Sequence, residues 1–363
     1  MDSNVRFEVF LDKEKWRTLD QHIRCMDVEM ESDVAKAHEQ SQTLKRELRE
    51  LLESQFNIRT VTESLSRWAT NELFAGSVCA IDGTRSVYPL LSGVRCRIGV
   101  VAVSYKGNRT ESVVFVSEQQ VNPPEANPIG ILKRRMTENT VISSMVVGAI
   151  MGYMERSIAL ERPEKWKLLN GPLIPYELRT GLGELQALRP CLELSRRIIQ
   201  TRTVAGVIGT SSHLELTSVG LALAPGEYVK IHSLKKDLDE YLHGTQGTGI
   251  GARSEAKFSA RDHAMFEEFL NECGDQIDVG IFRAGARPYL FQASRECFDE
   301  VAALLMVDAS SQPLRSYPLL VDYADSLCSR LFSSGDFRRQ MEMKLSKTGG
   351  FDTELPEEFF RRR

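Results

Sequence analysis

Four small or apolar residues, Val78-Cys79-Ala80-Ile81, run directly into Asp82-Gly83-Thr84-Arg85. The run is too short and too rich in β-formers for a helix, so it predicts a buried strand that delivers a carboxylate at its end, with Gly83 stopping the strand. A buried acid is costly without a cation beside it, and a divalent metal held by oxygen ligands supplies that compensation. Asp-Gly is also a strong hairpin-turn pair, and this segment alone does not separate a site from a turn.

The rest of the chain narrows what such a site can be. Seven cysteines are scattered without a C-x-x-C pair, and the six histidines form no H-x-x-x-H pair. A disulfide framework and a structural zinc site are therefore disfavoured, and any metal falls to carboxylates. A net charge of −4 excludes a generally basic nucleic-acid coat but leaves room for a local basic lining. No apolar run reaches the roughly 18 residues of a membrane helix, and Met1-Asp2-Ser3-Asn4-Val5-Arg6 lacks a signal pattern. A cytoplasmic protein without a membrane partner is expected.

Residues 12–74 read as mostly helical. Leu19, Ile23, Met26 and Met30 recur at helical spacing, and Leu44, Leu48 and Leu51 resume the rhythm after a polar interval between Asp33 and Ser41. This N-terminal helical arm, residues 1–74, either packs on its own domain or pairs with a second copy.

After the Asp82 strand, Val94–Tyr105 and Ser112–Ser117 read as two further strands, joined by Lys106-Gly107-Asn108, which makes an antiparallel meander. Asn122–Pro128 breaks the sheet, and a long helix is expected over about 132–160, carrying Glu138 and Glu155, with Glu161 at the surface. Trp166-Lys167-Leu168-Leu169-Asn170 repeats the form of the Asp82 segment, a strand running into a polar residue and a glycine. A helix over about 183–200, kinked or broken at Pro190, precedes a strand at Thr203–Ile208 that ends at Gly209-Thr210. Two β-like runs, Asp278–Arg283 and Pro288–Gln292, and a helix at 319–332 follow. Strands alternating with helices indicate an α/β fold, with Asp82, Asn170 and Thr210 brought together at the sheet ends. Residues 244–251, Gly-Thr-Gln-Gly-Thr-Gly-Ile-Gly, lack the Lys-Ser or Lys-Thr of a phosphate-binding loop and read as a mobile loop.

Three strands, a helix bearing an acid and a further strand ending in a polar residue form the layout of a ribonuclease-H-like mixed sheet flanked by helices. At Ala80-Ile81-Asp82-Gly83-Thr84, Leu168-Leu169-Asn170-Gly171-Pro172-Leu173, Tyr317-Pro318-Leu319 and Ala324-Asp325 the chain resembles the NurA nuclease family. The resemblance covers most of residues 75–333, taken as the nuclease domain with an insertion at 210–275 and a tail at 334–363. It implies a metal-dependent nuclease, using Mn2+ or Mg2+, with single-strand endonuclease and 5′-to-3′ exonuclease activity. It further implies a homodimer docked on a HerA-like hexameric ATPase, acting on DNA in end processing or anti-phage defence.

Matched residue by residue, the resemblance implies metal ligation by Asp82, by the helix acid Glu155 or else Glu138, by the residue at 170, and by Asp325 with Asp322 close by. The family carries aspartate where this chain has Asn170, a lysine where it has Gly209-Thr210, and a histidine near Asp325. An amide oxygen can ligate but brings no charge. The readings are therefore a nuclease or a catalytically impaired adaptor that binds DNA or regulates the ATPase. Arg95 and Arg97, Lys133–Arg135 and Arg196-Arg197 are candidate phosphate contacts.

Overall fold

The computed structural model describes residues 16–90, 93–117, 144–181, 187–209, 214–243 and 259–349. In chain order the strands are β1 (Ile58–Thr60), β2 (Val78–Leu90), β3 (Gly93–Ser104), β4 (Arg109–Ser117), β5 (Trp166–Asn170), β6 (Val204–Ile208), β7 (Glu227–Ser233), β8 (Ile277–Arg283) and β9 (Pro288–Ser294). The helices are α1 (Leu19–Gln55), α2 (Glu63–Phe74), α3 (Ser144–Glu161), α4 (Tyr176–Arg179), α5 (Leu188–Thr201), α6 (Leu214–Gly220), α7 (Leu234–His243), α8 (Ala260–Cys273), α9 (Phe298–Ala309), α10 (Leu319–Leu331) and α11 (Ser334–Thr348). The chain divides into two units, Met1–Gln55 and Phe56–Arg363.

In the first unit, α1 runs unbroken through Asp33–Ser41, so the polar interval interrupts the apolar seam and not the helix. Leu19, Ile23, Met30, Val34, Leu44 and Leu51 along that seam are exposed.

The second unit is built on one nine-stranded mixed sheet in the order β4-β3-β2-β5-β6-β9-β8-β7-β1. The meander β2-β3-β4 is antiparallel, β2, β5 and β6 are parallel neighbours, and the remaining pairings are antiparallel. The run β4-β3-β2-β5-β6 gives the expected ribonuclease-H-like arrangement, with helices on both faces. Strand residues alternate between two apolar cores. Val78 and Ala80 enter one with residues of α2, α9 and α10, while Cys79 and Ile81 enter the other with residues of α3, α5, α7 and α8.

One expectation is corrected at the segment that mattered most. Asp82 neither ends a strand nor opens a hairpin. β2 continues to Leu90, with Asp82 opposite Val101 and Gly83 opposite Val100. The cause is β3, which pairs with β2 along its whole length and makes the glycine no obstacle. What does end here is the ladder on the other side, because the parallel pairing of β2 with β5 stops at Ile81 opposite Leu169.

Pro190 does not break its helix either. It lies in the first turn of α5, where a missing N–H costs no helical hydrogen bond. Strands β1 and β7 were not anticipated: three residues are too few to show a period, and Glu227–Ser233 mixes charged and apolar residues. The tail begins with α11, whose Phe337 is buried with Tyr88 and Leu90 of β2. Among the described residues no helix is long and apolar enough to cross a membrane. The seven cysteines are free thiols.

Candidate functional site

Where the β2–β5 ladder stops, the next residue on each strand is polar. The Asn170 amide donates from Nδ2 to Asp82 Oδ1 at 2.9 Å. Asn170 itself still pairs with β6 opposite Val207, and Gly171 then turns the chain away with φ +114°, a conformation that favours glycine. The other end of the amide is also engaged, since Tyr317 Oη donates to Asn170 Oδ1 at 2.8 Å. Tyr317 is buried just before α10, edge-on to Tyr289 at 4.9 Å between ring centroids. Asp82 is thus met by an N–H donor whose orientation is held by a tyrosine.

Glu155 reaches the same place from the opposite face of the sheet. A Cβ on Gly83 would stand 2.6 Å from Glu155 Oε1 and 2.6 Å from Met151 Cγ, so glycine is what lets α3 lay its carboxylate against β2. The Gly83 N–H supports that carboxylate, and the neighbouring Arg156 guanidinium pairs with Glu155 Oε2. Both side chains are buried, at 4% and 2% exposure. Arg156 also donates to Leu173 O and Gly152 O, each at 3.1 Å, and to Pro172 O. It therefore ties α3 to the turn that follows Asn170.

Burial pushes the Asp82 carboxyl up to about 8, helped by the charges of Glu155 and Asp325 and opposed by the Asn170 amide and the Gly83 N–H. Burial also raises Glu155, against the pull of Arg156. Asp325, half-buried on α10, adds its charge to the upward push on Asp82, Tyr317 and Cys328, each raised first by burial. Asp322 is committed elsewhere, in an ion pair with Arg315 at 2.7 Å.

Among the described residues, no group of three or more His, Cys, Asp and Glu side chains is gathered tightly enough to hold a metal ion. Position 170 is an amide that turns its N–H toward Asp82, and one oxygen of Glu155 is taken by Arg156. Asp82, Glu155 and Asp325 carry oxygen donors, the type a hard cation takes, whereas the Asn170 carbonyl is turned to Tyr317.

The other candidates divide. Glu161 is exposed. Glu138, Thr210, Lys133–Arg135, Asn122–Pro128 and the glycine-rich 244–251 lie outside the described residues. Arg97 is not available as a phosphate contact: it donates to Ser333 O and lies over the Phe337 ring at 5.1 Å, clamping α11 to β3. Arg95 donates to the carbonyls of Gly93 and Val94, and Arg196 pairs with Glu272 at 2.7 Å. Arg197 is exposed. Two participants escaped sequence reasoning. Tyr317, within Tyr-Pro-Leu, carries no local signal of the hydrogen bond that it makes to Asn170. Arg156 does carry one, because an arginine in the apolar run of α3 signals a buried charge that needs partners.

No protein-family model matches the chain, and comparison with curated proteins finds no match. Solved structures do match. The chain is similar to the NurA nuclease from Sulfolobus solfataricus, with a TM-score of 0.50 and 13% identity over 90% of this chain and 97% of that one. A second NurA structure matches with a TM-score of 0.45 and 11% identity, over 84% of this chain and 97% of that one. NurA bound to dAMP and manganese matches with a TM-score of 0.42 and 10% identity, over 85% and 93%. The chain has a NurA-like fold.

Proposed function

We propose that this chain is a divalent-metal-dependent DNA nuclease of the NurA type. The observation that carries the reading is the meeting of Asp82 and Asn170 just past the end of the β2–β5 ladder, with Glu155 brought in over Gly83 and Asp325 from α10. Asp82, Glu155, Asn170 and Asp325 are the residues that would hold Mn2+ or Mg2+. The ion, when bound, makes water a better nucleophile at neutral pH and stabilises charge on the phosphodiester.

The chain's own contribution is arrangement. Tyr317 holds the Asn170 amide, Arg156 holds Glu155 and the turn after β5, and Gly83 allows the two carboxylates to approach from opposite faces. Burial keeps the Asp82 carboxylate out of bulk water, so its charged form is favoured only with a cation beside it. In this reading the protein is cytoplasmic and dimeric and works with a HerA-like hexameric ATPase in DNA end processing or anti-phage defence. Its cleavage is of the single-strand endonuclease and 5′-to-3′ exonuclease type.

The test is cleavage of end-labelled single- and double-stranded DNA with manganese or magnesium, with and without the ATPase, using Asp82→Ala as control. Metal-dependent cleavage that the substitution abolishes is expected. Cleavage that survives it refutes the assignment.

A second reading is favoured by one specific contact. Asn170 donates to Asp82 and so gives the acid a hydrogen-bond partner that needs no ion, a contact that suits an adaptor that binds DNA or regulates the ATPase. A folded chain that binds the ATPase but cleaves nothing under any condition is the outcome that selects it.

A further inference from the structure

We propose that Arg315 and Arg287 grip the backbone phosphates of the DNA strand next to the scissile phosphodiester, from a ledge that begins one tyrosine away from Asn170. Resting on the nuclease reading above, this adds to it where the strand lies and which side chains meet it.

The ledge is continuous with the candidate site. β9 runs antiparallel to β6 with Leu290 opposite Ile208, so the hairpin 284–287 between β8 and β9 stands at the sheet end where Asn170 closes β5. The loop 310–316 is fastened to that hairpin. The Ala286 N–H donates to Pro313 O at 3.0 Å, the Arg287 N–H to Ser316 Oγ at 3.3 Å, and the Tyr289 hydroxyl to Arg315 O at 2.7 Å. A Cβ on Gly285 would stand 2.5 Å from Pro313 O, so glycine is what lets the two loops close together.

From this support both arginines reach solvent. The Arg315 guanidinium lies over the Tyr317 ring, 5.9 Å from its centroid, and the hydroxyl of that ring holds Asn170. Ser316, between the two, is buried with φ +58°, one of two non-glycine residues at positive φ among the described residues. Such a conformation persists only where its surroundings fix it, and here it separates an exposed Arg315 from a buried Tyr317. Arg315 pairs with Asp322 at 2.7 Å while its side chain stays 55% exposed. An exposed pair of this kind is weak, and a phosphate offers the planar guanidinium two parallel hydrogen bonds. Arg287 is exposed beside Tyr289 and pairs with no carboxylate among the described residues.

Charge complementarity names the occupant. The chain has a net charge of −4, so a polyanion is held where cations are gathered and not by the surface at large. Arg95, Arg97 and Arg196 are engaged with carbonyls or an acid. Arg287 and Arg315 instead stand on one rigid ledge beside the carboxylates of the site. Contacts of this kind position a strand without reading its sequence.

The experiment is fluorescence anisotropy of a labelled single-stranded oligonucleotide with the full-length chain in EDTA, over about 50 to 200 mM salt. Arg287→Ala is expected to weaken binding roughly threefold or more and to lower the slope of log K against log salt by about 0.7. Arg315→Ala combined with Asp322→Asn is expected to do the same. That pair of changes leaves the net charge as it was, so its loss reports a contact and not the local charge. Arg67→Ala is the control, on α2 at the other end of β5, where Trp68 packs on Trp166; its affinity and slope are expected to match the wild type.

Full affinity and slope in both test variants would overturn the proposal and leave the nuclease reading to the cleavage assay. An equal loss in Arg67→Ala would show a diffuse effect of charge and overturn it too. A wild-type chain that binds no oligonucleotide at the lowest salt would overturn both the ledge and the DNA substrate. Should the double variant lack a melting transition, Arg287→Ala decides alone.

Discussion

The Tyr317 hydroxyl donates to Asn170 Oδ1 at 2.8 Å and thereby selects which end of the amide Asp82 meets. The N–H end faces the acid at 2.9 Å and leaves the carbonyl committed to the tyrosine. Tyr317→Phe removes one buried hydrogen bond and frees the amide to turn. A loss of about 1 kcal/mol in urea unfolding is expected, with manganese affinity unchanged or tighter because the Asn170 carbonyl becomes available. Weaker manganese binding in a folded Tyr317→Phe chain would contradict this role.

Gly83 is where the two faces of the sheet meet. A Cβ there would stand 2.6 Å from both Glu155 Oε1 and Met151 Cγ, so Gly83→Ala must displace α3 or the carboxylate. A stability loss of about 1–3 kcal/mol is expected from such overpacking, together with loss of metal-dependent cleavage. Gly335→Ala serves as the control: the nearest atom to its added Cβ is Ser333 Oγ at 3.7 Å, so cleavage is expected to be unaffected and stability unchanged or slightly raised, as alanine suits a helix better than glycine.

The raised Asp82 carboxyl gives a pH dependence of definite sign. Unfolded, this group loses its proton near 3.9, whereas in the fold it keeps the proton up to about 8. Between those values the native chain holds more protons, so the stability Asp82 contributes falls as pH rises from about 4 to 8. Urea unfolding of the ion-free wild type against Asp82→Asn is expected to show a difference that moves against the wild type across that window. Saturating manganese is expected to reverse the trend, since the charged carboxylate is then the stabilised form. A difference that does not change with pH would show that Asp82 titrates as an ordinary exposed acid.

The proposed dimer has a testable surface in α1. Leu19, Ile23, Met30, Val34, Leu44 and Leu51 form an exposed seam along one unbroken helix, and an apolar stripe of that length is the pattern by which helices pair. Ile23→Glu combined with Leu44→Glu is expected to shift the mass measured by light scattering from dimer to monomer while leaving the melting transition of the sheet unit in place. A mass that the two charges do not change would place the dimer contact elsewhere.

Much of this fold could be read along the chain because its signals are local. The meander, the strand Trp166–Asn170 and the strand Val204–Ile208 each combine a β-rich apolar run with a turn residue, and each forms close to where that pattern puts it. Asp82, Glu155 and Asn170 were identifiable as polar residues set at the ends of such runs or within an apolar helix. What the local signal misplaced was the end of β2, because a strand stops where its partners stop. β3 carries β2 on to Leu90, while β5 leaves it at Ile81.

The chain order thus determines which acids are carried and on which elements, since propensity and periodicity act over a few residues. Only tertiary structure decides what those acids meet. Tyr317, 147 residues after Asn170, orients its amide, and the absence of a side chain at Gly83 opens the sheet to Glu155. Arg156, next to Glu155 in sequence, becomes its counter-ion only because the turn after β5 supplies the carbonyls that anchor it. The physical reason is range: a propensity is settled by neighbours along the chain, whereas the charge balance of a buried pocket is settled by whatever the fold packs around it.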